Sequence, residues 1–161
     1  MSNLKPNQFT DGNGRAWTFR FTFLDVKRIR HETGVDIMSL WQPDSEDAAE
    51  LAQDPILLVD VLWCALEPQA KAAGVTPEDF GAGLVGDPIA DAYHALIEGA
   101  IDFFPDQGRR ELLRATRRRL AAMDARAMAM AKQMLTETGG GSSGNTLEPA
   151  ASIPTRTPSA S

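Results

Sequence analysis

The chain has 161 residues, 43% hydrophobic and 24% charged, and a net charge of −6. That length suits one globular domain with a modest core, and no apolar run approaches the ~20 residues a bilayer span needs. The first residues lack the apolar stretch of a secretory signal, and the lone Cys64 excludes an internal disulfide and suits a reducing compartment, so a soluble cytoplasmic protein is expected.

The net charge hides a pattern. Residues 1–35 carry +3, residues 36–104 carry −13, residues 105–138 carry +4 and residues 139–161 carry none. Opposed blocks favour association between copies or with a basic partner, and the acidic middle argues against nucleic acid as a ligand of the body. Acidic first turns of helices account for much of the same pattern without any partner.

In chain order, Phe9-Thr10, the turn Asp11-Gly12-Asn13-Gly14 and Ala16 to Phe21 form a β-hairpin. Asp-Gly and Asn-Gly supply residues that tolerate positive φ. Trp17, Phe19 and Phe21 alternate onto one face, which must pack on helices because a lone hairpin is marginal in water. Thr22 caps a helix that stops at Gly34. Asp25 sits where a capping-box acid belongs, but its side chain is shorter than the usual Glu or Gln, which argues against the reciprocal bond. Ile37, Met38, Leu40 and Trp41 make a short apolar patch, and residues 46–53 a short helix.

Asp54-Pro55, Thr76-Pro77 and Asp87-Pro88 each place a capping side chain before a proline suited to the first helical position. The helices predicted after them cover residues 55 to about 73, 77 to about 84, and 88–104. Pro68 should kink or split the first. Leu58, Val61, Leu62, Ala65 and Leu66 form its buried stripe. Ala92, Leu96, Ile97, Ala100, Phe103 and Phe104 form that of the third. Residues 108 to about 138 form one long helix. Leu113, Leu120, Ala127 and Met134 recur every seven residues, with Thr116, Met123 and Met130 three positions after the first three, a soft coiled-coil seam. Residues 139–161 hold almost no large apolar side chain and are expected to be a flexible tail.

Catalytic chemistry is hard to assemble from these residues. His31 and His94 are the only histidines, too few for a zinc site even with Glu98 four residues from His94. Cys64 lies on an apolar helix without local basic neighbours. Gly81-Ala82-Gly83-Leu84-Val85-Gly86 spells GxGxxG but lacks a preceding strand, so it is a helix end and turn rather than a dinucleotide fingerprint. Arg109-Arg110 and Arg117-Arg118-Arg119 have the charge to touch phosphates, yet no DNA-binding motif accompanies them, and pairing with the acidic block is the simpler use. No catalytic residue, cofactor or metal is therefore expected, and no enzyme.

One succession carries a family likeness: the aromatic hairpin around Asp11-Gly12, a helix ending Thr33-Gly34-Val35-Asp36-Ile37, then Asp54-Pro55-Ile56-Leu57-Leu58-Val59-Asp60-Val61-Leu62-Trp63 and Gln69-Ala70-Lys71. Gly74-Val75-Thr76-Pro77-Glu78-Asp79-Phe80, Gly86-Asp87 and Asp102-Phe103-Phe104-Pro105 follow. In order and spacing, over about residues 8–105, it resembles the tail assembly chaperones of long-tailed bacteriophages and prophages. The resemblance implies a non-catalytic protein of the host cytoplasm. Such a protein binds the tape measure protein, a long helical and partly apolar chain, while tail tube protein assembles around it. It also implies absence from the mature virion, and often a second form lengthened by a ribosomal frameshift, for which a flexible tail would be a linker. The alternative is a minor virion structural protein, a connector or tail component.

The expected fold class is therefore mainly α: a small N-terminal β-hairpin packed on a bundle of short helices, a long C-terminal helix and a disordered tail. The expected parts are a hairpin-plus-helical domain over 1–105, a basic, Met-rich helix over 106–138 and the tail over 139–161. Methionines suit a surface that accepts varied helical partners. Trp41, Met123, Met128, Met130 and Met134 are the candidate contacts, although methionines also pack on cores or self-associate. No membrane partner is expected, and a homo-oligomer is compatible with the charge layout.

Overall fold

The structure, a computed structural model, describes residues 3–139. The elements are β1 (Gln8–Thr10), β2 (Ala16–Thr18), α1 (Phe23–Thr33), α2 (Glu46–Gln53), α3 (Pro55–Ala72), α4 (Pro77–Ala82), α5 (Asp87–Asp102) and α6 (Gln107–Gly139). The fold is mainly α with one antiparallel hairpin and a long last helix, as expected. The chain divides into two compact units, Met1–Ala122 and Met123–Ser161. The tail expected over 139–161 lies outside the described residues, except for Gly139 at the end of α6.

One buried carboxylate shapes the hairpin turn. Strand β1 pairs with β2 in the register Gln8↔Thr18, Phe9↔Trp17, Thr10↔Ala16. Phe9, Trp17 and Phe19 are buried in the core. In the turn, only Gly14 has positive φ, at 78°; Gly12 does not, contrary to the expectation for an Asp-Gly turn. The bend is held instead by Asp11, which is 4% exposed. Its Oδ1 accepts from the backbone N–H groups of Asn13 and Arg15, each at 2.9 Å, and its Oδ2 accepts from Trp17 Nε1 at 3.0 Å. An Asx-type turn of this kind replaces the φ > 0 pair with side-chain bonds.

The GxGxxG stretch is the helix end and turn that the sequence suggested, and the hairpin turn docks on it. Gly12 donates its N–H to Gly83 O at 2.7 Å. A Cβ on Gly83 would lie 3.1 Å from the Asp11 carboxylate. On the open side of β2, Gln69 of α3 bonds the backbone of Thr18, donating to its carbonyl and accepting from its N–H at 3.2 Å. Its carboxamide stands in for a neighbouring strand and blocks the exposed edge.

Helix α1 closes the capping box that the short Asp25 side chain argued against. Asp25 N–H donates to Thr22 Oγ1 at 3.3 Å and Thr22 N–H to Asp25 Oδ2 at 2.8 Å. The Thr22 hydroxyl also donates to Oδ2 at 2.7 Å, which draws the carboxylate within reach. Gly34 ends the helix at φ 78°. Asp54 and Thr76 cap α3 and α4 as predicted. Asp87 does not cap α5: Gly86, at φ 83°, is the cap residue and makes no side-chain cap bond. The turn out of α4 requires a left-handed residue there, which glycine supplies cheaply. Asp87 then sits in the first turn, where its charge still favours the helix dipole. Helix α5 ends at Asp102, so Phe103 and Phe104 lie past its last turn.

Pro68 neither splits α3 nor ends it; the helix is continuous over its 18 residues. Proline at this position leaves the carbonyl four residues earlier without its helical donor. That carbonyl belongs to Cys64, and Arg28 of α1 donates to it through Nη2 at 2.7 Å. The bond supplies the missing donor and ties α1 to α3. Replacing Arg28 by methionine should cost about 1–3 kcal/mol, because the carbonyl loses a charged donor. In a Pro68→Ala background the cost should shrink by half or more, since alanine restores the missing backbone N–H. A urea-denaturation double-mutant cycle measures this, and equal costs in both backgrounds would refute the link.

Candidate partner-binding surface

Residues 107–122 of α6 belong to the first unit, where Leu113 packs on the core. Of the five arginines named from the sequence, Arg117 pairs with the acidic block here, joined by Arg114, while Arg109 and Arg110 turn to Phe104 and Arg118 bonds the Arg114 carbonyl. Arg114 Nε donates to Glu98 Oε2 at 2.9 Å, its Nη2 bonds Asp102, and Arg117 bonds the other Glu98 oxygen. Arg117 also reaches His94 Nδ1 at 2.8 Å. A cationic donor fixes Nδ1 as the acceptor, so the neutral ring carries its proton on Nε2. His94, Glu98, Arg114, Arg117 and Arg118 line a shallow cleft of about 380 Å³ with Pro6 and Ala121. Glu98 is engaged by two arginines, and Arg118 adds a third positive charge to the lining.

Partial desolvation lowers the His94 pKa below the usual imidazole value; Arg117 adds to this, while Asp91 and Glu98 oppose it. A depressed folded-state pKa means the unfolded chain binds the proton more readily, so this contribution to stability is complete above the unfolded value and lost as pH falls. Melting temperature should therefore drop from pH 7 towards pH 5 more steeply in the native chain than in His94→Gln. Parallel melting curves for the two would refute a role for His94.

Cys64 is buried, and burial pushes its thiol pKa up, with Glu32 Oε2 3.7 Å from the sulfur. It is held as a thiol rather than a nucleophile. Among the described residues, no group of three or more His, Cys, Asp or Glu is placed to hold a metal ion.

Trp41 lies in the first unit, half-buried, with its ring edge-to-face on Phe104 at 4.8 Å between centroids. The Arg109 guanidinium stands 4.9 Å over the same phenyl ring. Trp41 is thus already engaged within the chain and offers a partner only its remaining edge. The four methionines lie in the second unit. Met123, Met128, Met130 and Met134 are 65%, 75%, 62% and 65% exposed. At 100° per residue, Met123, Met130 and Met134 fall within a band about 40° wide, while Met128 lies roughly 140° round from Met123. Three of the four therefore form one apolar stripe with Ala127 between them, and Met128 stands apart beside Leu135, which is 73% exposed.

Other exposed apolar groups escaped the sequence reading. Phe23, Leu24, Ile56 and Val85 are 75%, 77%, 75% and 78% exposed. Phe23 meets Phe103 edge-to-face at 4.9 Å. The first three sit in the opening turns of α1 and α3, and the periodicity of α1, which buries only Ile29, is too weak to assign its faces. No protein-family model, curated protein or solved structure matches this chain.

Proposed function

We propose that this chain is a non-catalytic tail assembly chaperone of a long-tailed phage or prophage. In this reading it binds the tape measure protein in the host cytoplasm, keeps it soluble while tail tube protein assembles, and is absent from the mature virion. The observation that carries it is the stripe of Met123, Met130 and Met134, each more than 60% exposed on one face of a helix. Such a face is unfavourable in water, and covering what remains exposed of each methionine contributes about 1–2 kcal/mol. A long, partly apolar helix is a fitting cover, and unbranched, polarisable methionines adapt to the varied side chains along it.

The test is co-expression with the product of the next long downstream reading frame, followed by affinity capture. The helical product should become soluble and co-purify. The triple variant Met123→Ser, Met130→Ser, Met134→Ser should fold normally and lose most of the captured product, while Met128→Ser retains it. A product that stays insoluble and unbound beside the native chain would sink the reading; presence of the chain in purified particles would favour a virion structural protein instead.

A further inference from the structure

The heptad seam of α6 has a charge pattern that names a second occupant. With Leu120, Ala127 and Met134 at a positions and Met123 and Met130 at d, Arg119 falls at g and Asp124 at the following e. In a parallel two-stranded coiled coil, g of one helix meets the next e of the other. Arg119 of one copy then faces Asp124 of its partner, and the same pair recurs across the two-fold axis. An antiparallel pair brings g against g and e against e. The g residues here are Arg119, Arg126 and Gln133, and the e residues are Asp124, Ala131 and Thr138, so no opposite charges meet. Within the chain the side chains bonded to Glu98 and Asp102 are Arg114 and Arg117, not Arg119. Small Ala127 at the centre of the seam permits close approach of the helices.

We infer that two copies of this chain pair in parallel and in register through the α6 seam from Leu120 to Met134. The seam spans little more than two heptads and carries methionine and alanine where strong coiled coils carry leucine and isoleucine, so the pair is a dissociable one. The pair covers the same stripe that the proposed function gives to a partner helix, so the two compete and the pair must open before that helix binds.

Sedimentation equilibrium of the full chain should show a concentration-dependent dimer that weakens at high salt. Asp124→Arg, which sets two arginines against each other on both sides, should weaken it about tenfold, and Arg119→Asp combined with Asp124→Arg should restore it. Under mild oxidation, Met130→Cys should cross-link to a disulfide dimer, because equal d positions face each other only in the parallel register. Met128→Cys, off the seam, should not. A chain monomeric at millimolar concentration, failure of the charge exchange to restore association, or equal cross-linking at 128 and 130 would each overturn the proposal.

Discussion

Replacing Asp11 by alanine is expected to destabilise the protein by about 3–5 kcal/mol, a large part of the stability of a domain this size. Three donors converge on this carboxylate: the N–H groups of Asn13 and Arg15, and the indole of Trp17. The Asp11 side chain is fully buried, and the Arg15 guanidinium, at 3.9 Å, is too distant to act as a close ion pair. Alanine removes the acceptor and leaves all three donors behind, with the indole deep in the core, where no water replaces the lost bond. Asparagine separates the terms. Its carbonyl oxygen can keep both backbone donors, but its amide nitrogen then faces the Trp17 N–H, donor against donor. Asp11→Asn should therefore cost about 1–3 kcal/mol, less than alanine. Trp17→Phe in the Asp11→Asn background should cost less than in the native chain, because it removes the opposed donor. Urea midpoints with unchanged slopes give all four values. If Asp11→Ala falls within about 0.5 kcal/mol of the native chain, Asp11 is an ordinary surface turn residue.

What could be read without the structure was local chemistry. Ser45 and the residues after it define α2 over the range expected, and its cap bond from Ala48 N–H to Ser45 Oγ is 3.1 Å. Asp54-Pro55 and Thr76-Pro77 behave as the capping rules require, since both the cap and its partners lie within three residues. Distance along the chain is where legibility ends. Asp11 in an Asp-Gly turn looks the same whether exposed or buried, and its burial follows from docking on Gly83, far along the chain. Pro68 is visible as a flaw in α3, but the Arg28 that compensates it comes from another helix, 36 residues away from Cys64. Asp87 misled because three cap-proline pairs look alike, while the third follows a turn that takes Gly86 into the left-handed region. The candidate surface divides in the same way. The methionine stripe is periodic, so sequence spacing alone placed Met123, Met130 and Met134 together and also sets Met128 apart. The coupling of Trp41 to Phe104 is tertiary and carries no periodic trace.

Two glycine-to-alanine substitutions, both inside helices, should act in opposite directions. Gly81 lies in α4, and a Cβ there would meet nothing within 4 Å. Alanine reduces the freedom of the unfolded chain and favours the helix, so Gly81→Ala should stabilise by about 0.5–1 kcal/mol. Gly99 lies in α5 under the hairpin. A Cβ there would stand 2.5 Å from Phe19 Cβ, 3.1 Å from Phe21 Cε2 and 3.4 Å from Phe19 O. Phe19 Cβ is fixed to its backbone and cannot swing aside, so the strand must move. Phe19 also stacks on Phe9 at 5.8 Å and on Phe21 at 5.9 Å, so the shift spreads through the aromatic face of the hairpin. The overpacking should cost about 3 kcal/mol or more against the ~1 kcal/mol that helix propensity returns, a net loss of about 2 kcal/mol. Gly99→Val should cost more, adding bulk and a β-branch. Thermal melts of the two alanine variants decide the matter by sign alone. If Gly99→Ala raised the melting temperature as Gly81→Ala should, propensity would outweigh contact, and the hairpin would not rest on α5 at the separation that makes glycine necessary there.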